Sequence, residues 1–252
     1  MSILVDGLIV HYESLGRGRP VIFLHGWIGS WRYWFGSMQV ISRSFRAYAL
    51  DLCGFGESGR DPKRYTLDGQ TELLSRFLDE MSLGKVALIG HGLGALVGFS
   101  FCVRWPQRVD RMMAVSCPMF HDTINPRLRT TPIQDLVTWL GNRSPEATAL
   151  LADATIADPQ AVTTSISSFQ SSDLFGQMRQ SQIACLLVHG QNDPAIPAPP
   201  AESSVNLPDM MHQIVLKRSG HFPMLDEAAR FNRLLIEFLT LDSGASPREL
   251  HL

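Results

Sequence analysis

Lys85-Val86-Ala87-Leu88-Ile89-Gly90-His91-Gly92-Leu93-Gly94-Ala95 decides how this chain is read. Its mostly apolar opening is that of a strand buried on both faces, and Leu93 to Arg104 then reads as a helix stopped by Trp105-Pro106. A strand that turns sharply into a helix through Gly-x-?-x-Gly has the geometry of a nucleophile elbow. There a strained turn lifts the middle residue above the sheet, and small flanking residues let strand and helix pass closely. Here the middle residue is Gly92, which has no side chain. No serine in the chain has glycine at both −2 and +2, so no second elbow exists, and no aspartate nucleophile stands at 92 either.

Working outward, strand and helix patterns alternate. Two alternating segments around Asp6-Gly7 read as an antiparallel hairpin that leads to a first buried strand, Val21-Ile22-Phe23-Leu24, with His25-Gly26-Trp27 at its end. Residues 31–43 are helix-compatible. Phe45 to Leu50 is the next strand, closed by Asp51-Leu52-Cys53-Gly54-Phe55-Gly56-Glu57-Ser58. Leu73, Leu74, Phe77, Leu78 and Met81 recur at helical spacing, which predicts an amphipathic helix over 67–83. Beyond the elbow the pattern predicts strands at 111–116, 183–189 and 212–217, and a last helix from Leu225 to Leu241. Near-continuous apolar strands alternating with helices predict an α/β fold, a mostly parallel sheet covered on both faces. Such sheets carry their functional loops at the carboxyl ends of the strands. His25-Gly26-Trp27, Gly90 to Gly94, Asp193 and His221 all fall there.

Between Cys117 and about Gln180 the buried strand patterns vanish and short helical patterns such as 133–140 and 146–153 replace them. The expected organisation is one discontinuous core of residues 1–117 and 181–241, an inserted helical cap at 118–180, and a mobile, aperiodic tail at 242–252.

Taken in order, His-Gly, Asp-x-x-Gly-x-Gly-x-Ser, Gly-x-?-x-Gly, Gly-x-x-Asp and Gly-His resemble the α/β-hydrolase superfamily over about residues 3–241, close to its capped esterase, C–C hydrolase and haloperoxidase-like branch. The resemblance implies an inserted helical cap, hydrolysis as the family activity, and a small, largely apolar carbonyl or ester compound bound between cap and sheet. It implies Asp193 as triad acid, His221 as triad base, and the backbone N–H groups of Trp27 and Leu93 as the oxyanion hole. The catalytic set is then His221 and Asp193 with Gly92 as the vacant nucleophile position. A carboxylate accepting from one imidazole nitrogen fixes the tautomer and frees the other nitrogen to act as a base. Glycine suits the strained elbow, so the oxyanion donors are expected to persist.

Three readings follow. His221 acts as a base without a covalent serine; or the chain is a non-catalytic ligand-binding or sensor protein; or it is a Ser-to-Gly inactivated form of an ordinary serine hydrolase. Survival of both Asp193 and His221 favours chemistry.

Other residues read as structural. His91 adjoins the vacant position, but neighbours on a sharp turn point in different directions. His25 shapes the loop that bears Trp27. Cys117 ends a strand on the active side, yet nothing in the sequence stabilises its thiolate, so it reads as a small buried hydrophobe. Trp27, Trp31, Tyr33 and Trp34 read as core and cap contacts, with Trp27 towards the pocket.

Gly90-His91-Gly92-Leu93-Gly94-Ala95 also satisfies the dinucleotide fingerprint. The next strand, Met112-Met113-Ala114-Val115-Ser116, ends without the acid that would hold a ribose, and other strands precede the motif, so no dinucleotide or other cofactor is expected. Eight histidines show no metal-ligand spacing, so no metal is expected either. The net charge of −2 gives no electrostatic reason to expect nucleic acid or a membrane surface as partner. No apolar run reaches the roughly 18 residues of a membrane span. Four scattered cysteines and a start without a signal-peptide pattern predict a cytoplasmic protein with reduced thiols. The expected partner is a small molecule; oligomeric state is left open.

Overall fold

The computed structural model describes residues 1–141, 152–169, 173–200 and 206–250. Its eight strands are β1 Ser2–Val5, β2 Leu8–Gly16, β3 Arg19–Leu24, β4 Phe45–Leu50, β5 Val86–His91, β6 Val109–Val115, β7 Ala184–Gly190 and β8 Met211–Leu216. They form one sheet in the order β1-β2-β4-β3-β5-β6-β7-β8. From β4 to β8 every pairing is parallel, and β1 and β2 add an antiparallel edge. The α/β architecture with a mostly parallel sheet is thus the one the alternation predicts. The hairpin turns on Asp6 and Gly7, both at positive φ (46° and 80°). Its second strand then pairs with β4 and not with β3.

Helices α1 Phe35–Ile41, α2 Leu67–Glu80 and α3 Leu93–Arg104 lie between the first six strands. Helix α2 starts where Thr66 Oγ1 accepts from Gly69 N–H at 3.1 Å, and it buries Leu73, Leu74, Phe77 and Leu78. Each such side chain contributes about 1.5–3 kcal/mol of hydrophobic stabilisation. Helix α3 is buried from Leu93 to Cys102, as an all-round apolar helix must be.

After β6 come α4 Arg127–Thr130, α5 Ile133–Leu140, α6 Pro159–Phe169 and α7 Leu174–Arg179. Most of the 146–153 pattern lies outside the described residues. The chain closes with α8 Pro223–Asp226 and α9 Ala228–Thr240, the latter burying Phe231, Leu234, Leu235, Phe238 and Leu239. No helix among the described residues is long and apolar enough to cross a membrane.

Residues 246–248, in the segment expected as a mobile tail, make side-chain bonds to residues 207–209. Ser246 Oγ donates to Asp209 O at 2.5 Å, Arg248 Nη2 donates to Leu207 O at 2.5 Å, and Arg248 Nη1 pairs with Asp209 Oδ1 at 3.1 Å. These are bonds from side chains to backbone and to a carboxylate. They need no hydrophobic period, so the sequence pattern gave no sign of them.

Glycines at the elbow are set by contact. A Cβ on Gly90 would stand 2.4 Å from Gly94 O, and one on Gly94 would stand 2.3 Å from Leu24 O. Gly94→Ala is therefore expected to cost about 1–3 kcal/mol, read as a lower urea midpoint. An unchanged midpoint would show that strand and helix can separate there without cost.

Candidate active site

Gly92 stands between β5 and α3 at φ 49°, ψ −110°, a left-handed turn that glycine enters without the penalty a side chain incurs. Its N–H donates to Val115 O at 2.9 Å, and its carbonyl accepts the first bonds of α3, from Ala95 and Leu96. The nearest atoms to a Cβ built on Gly92 are the Trp27 ring edge, at 3.3 Å, and Gly26 Cα, at 3.6 Å. The elbow thus keeps its shape, and a side chain at 92 would press on the Trp27 ring edge.

The turn is tied to the β3 loop. Gly94 N–H donates to His25 O at 3.0 Å, and Gly26 N–H donates to Tyr33 Oη at 2.6 Å. His25 Nε2 accepts from Leu52 N–H at 2.9 Å, so Nδ1 carries the proton and donates to Gly26 O at 2.8 Å. Burial lowers the His25 pKa, in keeping with a neutral, structural imidazole. The loop after β4 is held likewise. Asp51 accepts from Trp31 N–H at 2.8 Å and Glu57 N–H at 3.0 Å and pairs with His11 Nδ1 at 3.0 Å. Any Cβ on Gly56 would strike that carboxylate, which accounts for the second glycine of the Asp-x-x-Gly-x-Gly-x-Ser pattern. The N–H groups of Trp27 and Leu93 take no hydrogen-bond partner among the described residues.

Asp193 and His221 come together from the loops after β7 and β8. His221 Nδ1 lies 2.9 Å from Asp193 Oδ2, with both side chains inaccessible to solvent. The other carboxylate oxygen accepts from Ala195 N–H at 2.8 Å and Ile196 N–H at 3.0 Å. Burial pushes the Asp193 carboxyl up, but the His221 imidazole and these donors outweigh it and hold the group below its ordinary value. His221 Nε2 is buried and has no hydrogen-bond partner among the described residues.

The backbone of His221 is clamped from the elbow side. His91 Nε2 donates to His221 O at 2.8 Å, Ser116 Oγ donates to it at 3.2 Å, and Tyr33 O–H donates to His91 Nδ1 at 3.0 Å. His91 therefore has both nitrogens engaged, and burial followed by the neighbouring His221 charge drives its pKa well below the usual value. Ahead of His221, Gly220 N–H donates to Asp226 Oδ2 at 2.7 Å and Ser219 Oγ donates to Glu227 Oε2 at 2.9 Å. Tyr33, Ser116, Asp226 and Glu227 were invisible as site residues in the sequence. They act through single bonds to a loop distant in the chain, or within a turn, and follow no motif.

Trp27 is fully buried, and its Nε1 donates to Ser165 Oγ of α6 at 3.0 Å, joining the β3 loop to the insertion. Tyr33 and Trp34 are core residues, and Trp31 is partly buried against the core. Cys117 is buried, and burial raises its thiol pKa well above the ordinary value. A cavity of about 520 Å3 lies beside the dyad, with Cys117, Met119, Phe175 and Ile196 in its wall; Gly92, Trp27 and His221 do not line it.

Residues 19–140 match the family model of the alpha/beta hydrolase fold. This chain is an α/β-hydrolase-fold protein, and its relatives include hydrolases of ester and carbon–carbon bonds. Over 260 residues it is 29% identical to the dihydrolipoyllysine-residue acetyltransferase component of the acetoin cleaving system of Cupriavidus necator, covering 93% of this chain and 67% of that protein. Over 259 residues it is 23% identical to the 2-hydroxy-6-oxo-6-(2'-aminophenyl)hexa-2,4-dienoic acid hydrolase of Metapseudomonas resinovorans, covering 93% and 88%. A hydrolase structure from Pseudomonas aeruginosa PA01 superposes with a TM-score of 0.84 at 18% identity, covering 96% of this chain and 98% of that one.

Proposed function

We propose that the chain hydrolyses a small apolar ester or carbonyl compound without a serine nucleophile, using His221 as general base. The observation that carries this reading is the free His221 Nε2, buried beside the elbow while Nδ1 is fixed on Asp193. An imidazole held in that tautomer accepts a proton from water as the water oxygen bonds to the substrate carbonyl carbon. The carbonyl oxygen becomes an oxyanion, received by the Trp27 and Leu93 N–H groups. Collapse of the tetrahedral centre breaks the bond to the leaving group, which takes the proton back from Nε2. Residues 118–180 serve as the cap, and the Trp27–Ser165 bond supports that role. The named relatives act on acyl or keto compounds, which fits a carbonyl substrate.

The test compares the chain with His221→Ala on short acyl esters. A loss of about 10²-fold in kcat/KM is expected, the lower end of what a general base supplies. Equal rates for the two proteins remove His221 from the chemistry. A binding role without turnover is the second reading, favoured by the complete burial of His221. It predicts no hydrolysis by either protein.

A further inference from the structure

The cavity beside the dyad has a composition of its own. Met119, Phe175, Ile196 and Leu207 give it apolar walls, and Phe120 at its edge is 57% exposed while packing edge-on to Phe175 at 6.1 Å. At about 520 Å3 it lies within the roughly 300–1,000 Å3 range of small-molecule sites. One cation lines it. Arg179, at the end of α7, donates one Nη2 hydrogen to Asn206 O at 2.7 Å, and its guanidinium carbon stands 5.9 Å from the Phe175 ring centroid. Among the described residues it has no carboxylate partner, although a guanidinium offers five donors in a fork that matches a carboxylate. Asp122, the acid on the same wall, is exposed and makes no ion pair with it.

A half-buried cation with no anion paired to it among the described residues, set against an apolar chamber, favours a ligand with one negative group and a hydrocarbon body. We propose that this cavity binds an amphiphilic monocarboxylate, its chain lying along Met119, Phe175, Ile196 and Leu207 and its carboxylate on Arg179. The site is distinct from the elbow and does not rest on turnover there. Ile196 belongs to both regions: it lines the cavity, and its N–H donates to Asp193 at 3.0 Å.

The test is calorimetric titration of the purified chain with octanoate, 1-octanol and octylammonium, which share a chain length and differ in head charge. Octanoate is expected to bind at least tenfold more tightly than 1-octanol, with octylammonium the weakest. Arg179→Gln, which keeps a hydrogen-bond donor but no charge, is expected to bring octanoate to the affinity of 1-octanol. Leu207→Trp, which fills the chamber, is expected to abolish binding of both. The wild-type comparison needs no variant to fold. Equal affinities for octanoate and 1-octanol overturn the assignment, as does octylammonium binding tightest, which would place the anchor at Asp122. Full octanoate binding by Leu207→Trp overturns it too, because the ligand would then lie elsewhere. Failure of ester hydrolysis leaves all these outcomes readable.

Discussion

Gly92→Ser is expected to raise kcat/KM on short acyl esters by at least about 10³-fold. On the proposed reading the other parts of an acyl-transfer site are in place: His221 bonded to Asp193 at 2.9 Å, the Trp27 and Leu93 N–H groups as oxyanion donors, and an elbow at positive φ. Nucleophile removal from a comparable triad costs about 10⁶-fold in kcat, so restoring one in a preformed site has a large ceiling. The nearest atoms to a Cβ at 92 are the Trp27 ring edge at 3.3 Å and Gly26 Cα at 3.6 Å, so the variant needs the Trp27 ring to give by a few tenths of an ångström. The variant carries a penalty, because a side chain at φ 49° costs about 1–2 kcal/mol, so its melting temperature is expected to fall while its activity rises. A serine variant that folds and stays as slow as the parent would mean that His221 Nε2 and the new hydroxyl do not meet. The water-based mechanism would then lose its geometric basis as well.

The second large effect concerns stability in acid. His189 is buried in β7 with neither ring nitrogen hydrogen-bonded among the described residues. Burial pushes its pKa down to about 4, against a partial upward pull from Asp193. The unfolded chain takes up this proton near pH 6.5, well before the folded chain does. Stability is therefore full above pH 6.5, is eroded as pH falls, and is reduced by about 3 kcal/mol once pH reaches the folded value. His25 and His91 are depressed in the same direction, so the whole chain is expected to be acid-labile by more than one proton. His189→Leu isolates one of them. Urea unfolding from pH 7 to pH 4.5 is expected to show a shallower loss for the variant, with a gap from wild type that widens towards acid. At pH 7 the variant already escapes the desolvation cost of two unpaired nitrogens, about 1–3 kcal/mol each where buried. Parallel stability curves would mean that His189 is protonated at the same pH in both states.

The cavity proposal and the elbow proposal meet at one loop. Asp193, Ala195 and Ile196 are joined by N–H bonds to a single carboxylate oxygen, and Ile196 faces the chamber. The carboxylate that orients His221 is thus set on a segment that a ligand in the chamber touches.

Much of the site was legible because its parts carry local signatures. A buried strand broken by Gly90, Gly92 and Gly94 specifies a tight strand-to-helix passage, and contact distances account for two of those glycines directly. Asp193 and His221 were placed by their positions just after apolar strands. His91 was read as structural from the geometry of a turn and His25 as shaping the loop that bears Trp27, and each has both nitrogens engaged. What could not be read was the clamp on His221. His91 and Ser116 reach it across 130 and 105 residues of chain, Tyr33 reaches His91 across 58, and no periodicity records such bonds. The bonds of Ser246 and Arg248 to residues 207–209 escaped for the same reason.

By itself, then, the sequence determined the alternation of strands and helices, the parallel sheet that such apolar strands require, the shape of the elbow and the absence of a side chain at its apex. Those are consequences of residue type and spacing along a short stretch. Tertiary structure alone decided that Nδ1 of His221 meets Asp193 while Nε2 has no partner among the described residues, that Trp27 reaches the insertion through Ser165, and that Arg179 lines an apolar chamber with no carboxylate paired to it among the described residues. Each depends on where distant segments pack, and burial in a shared low-dielectric interior sets the charge states and bond strengths that follow.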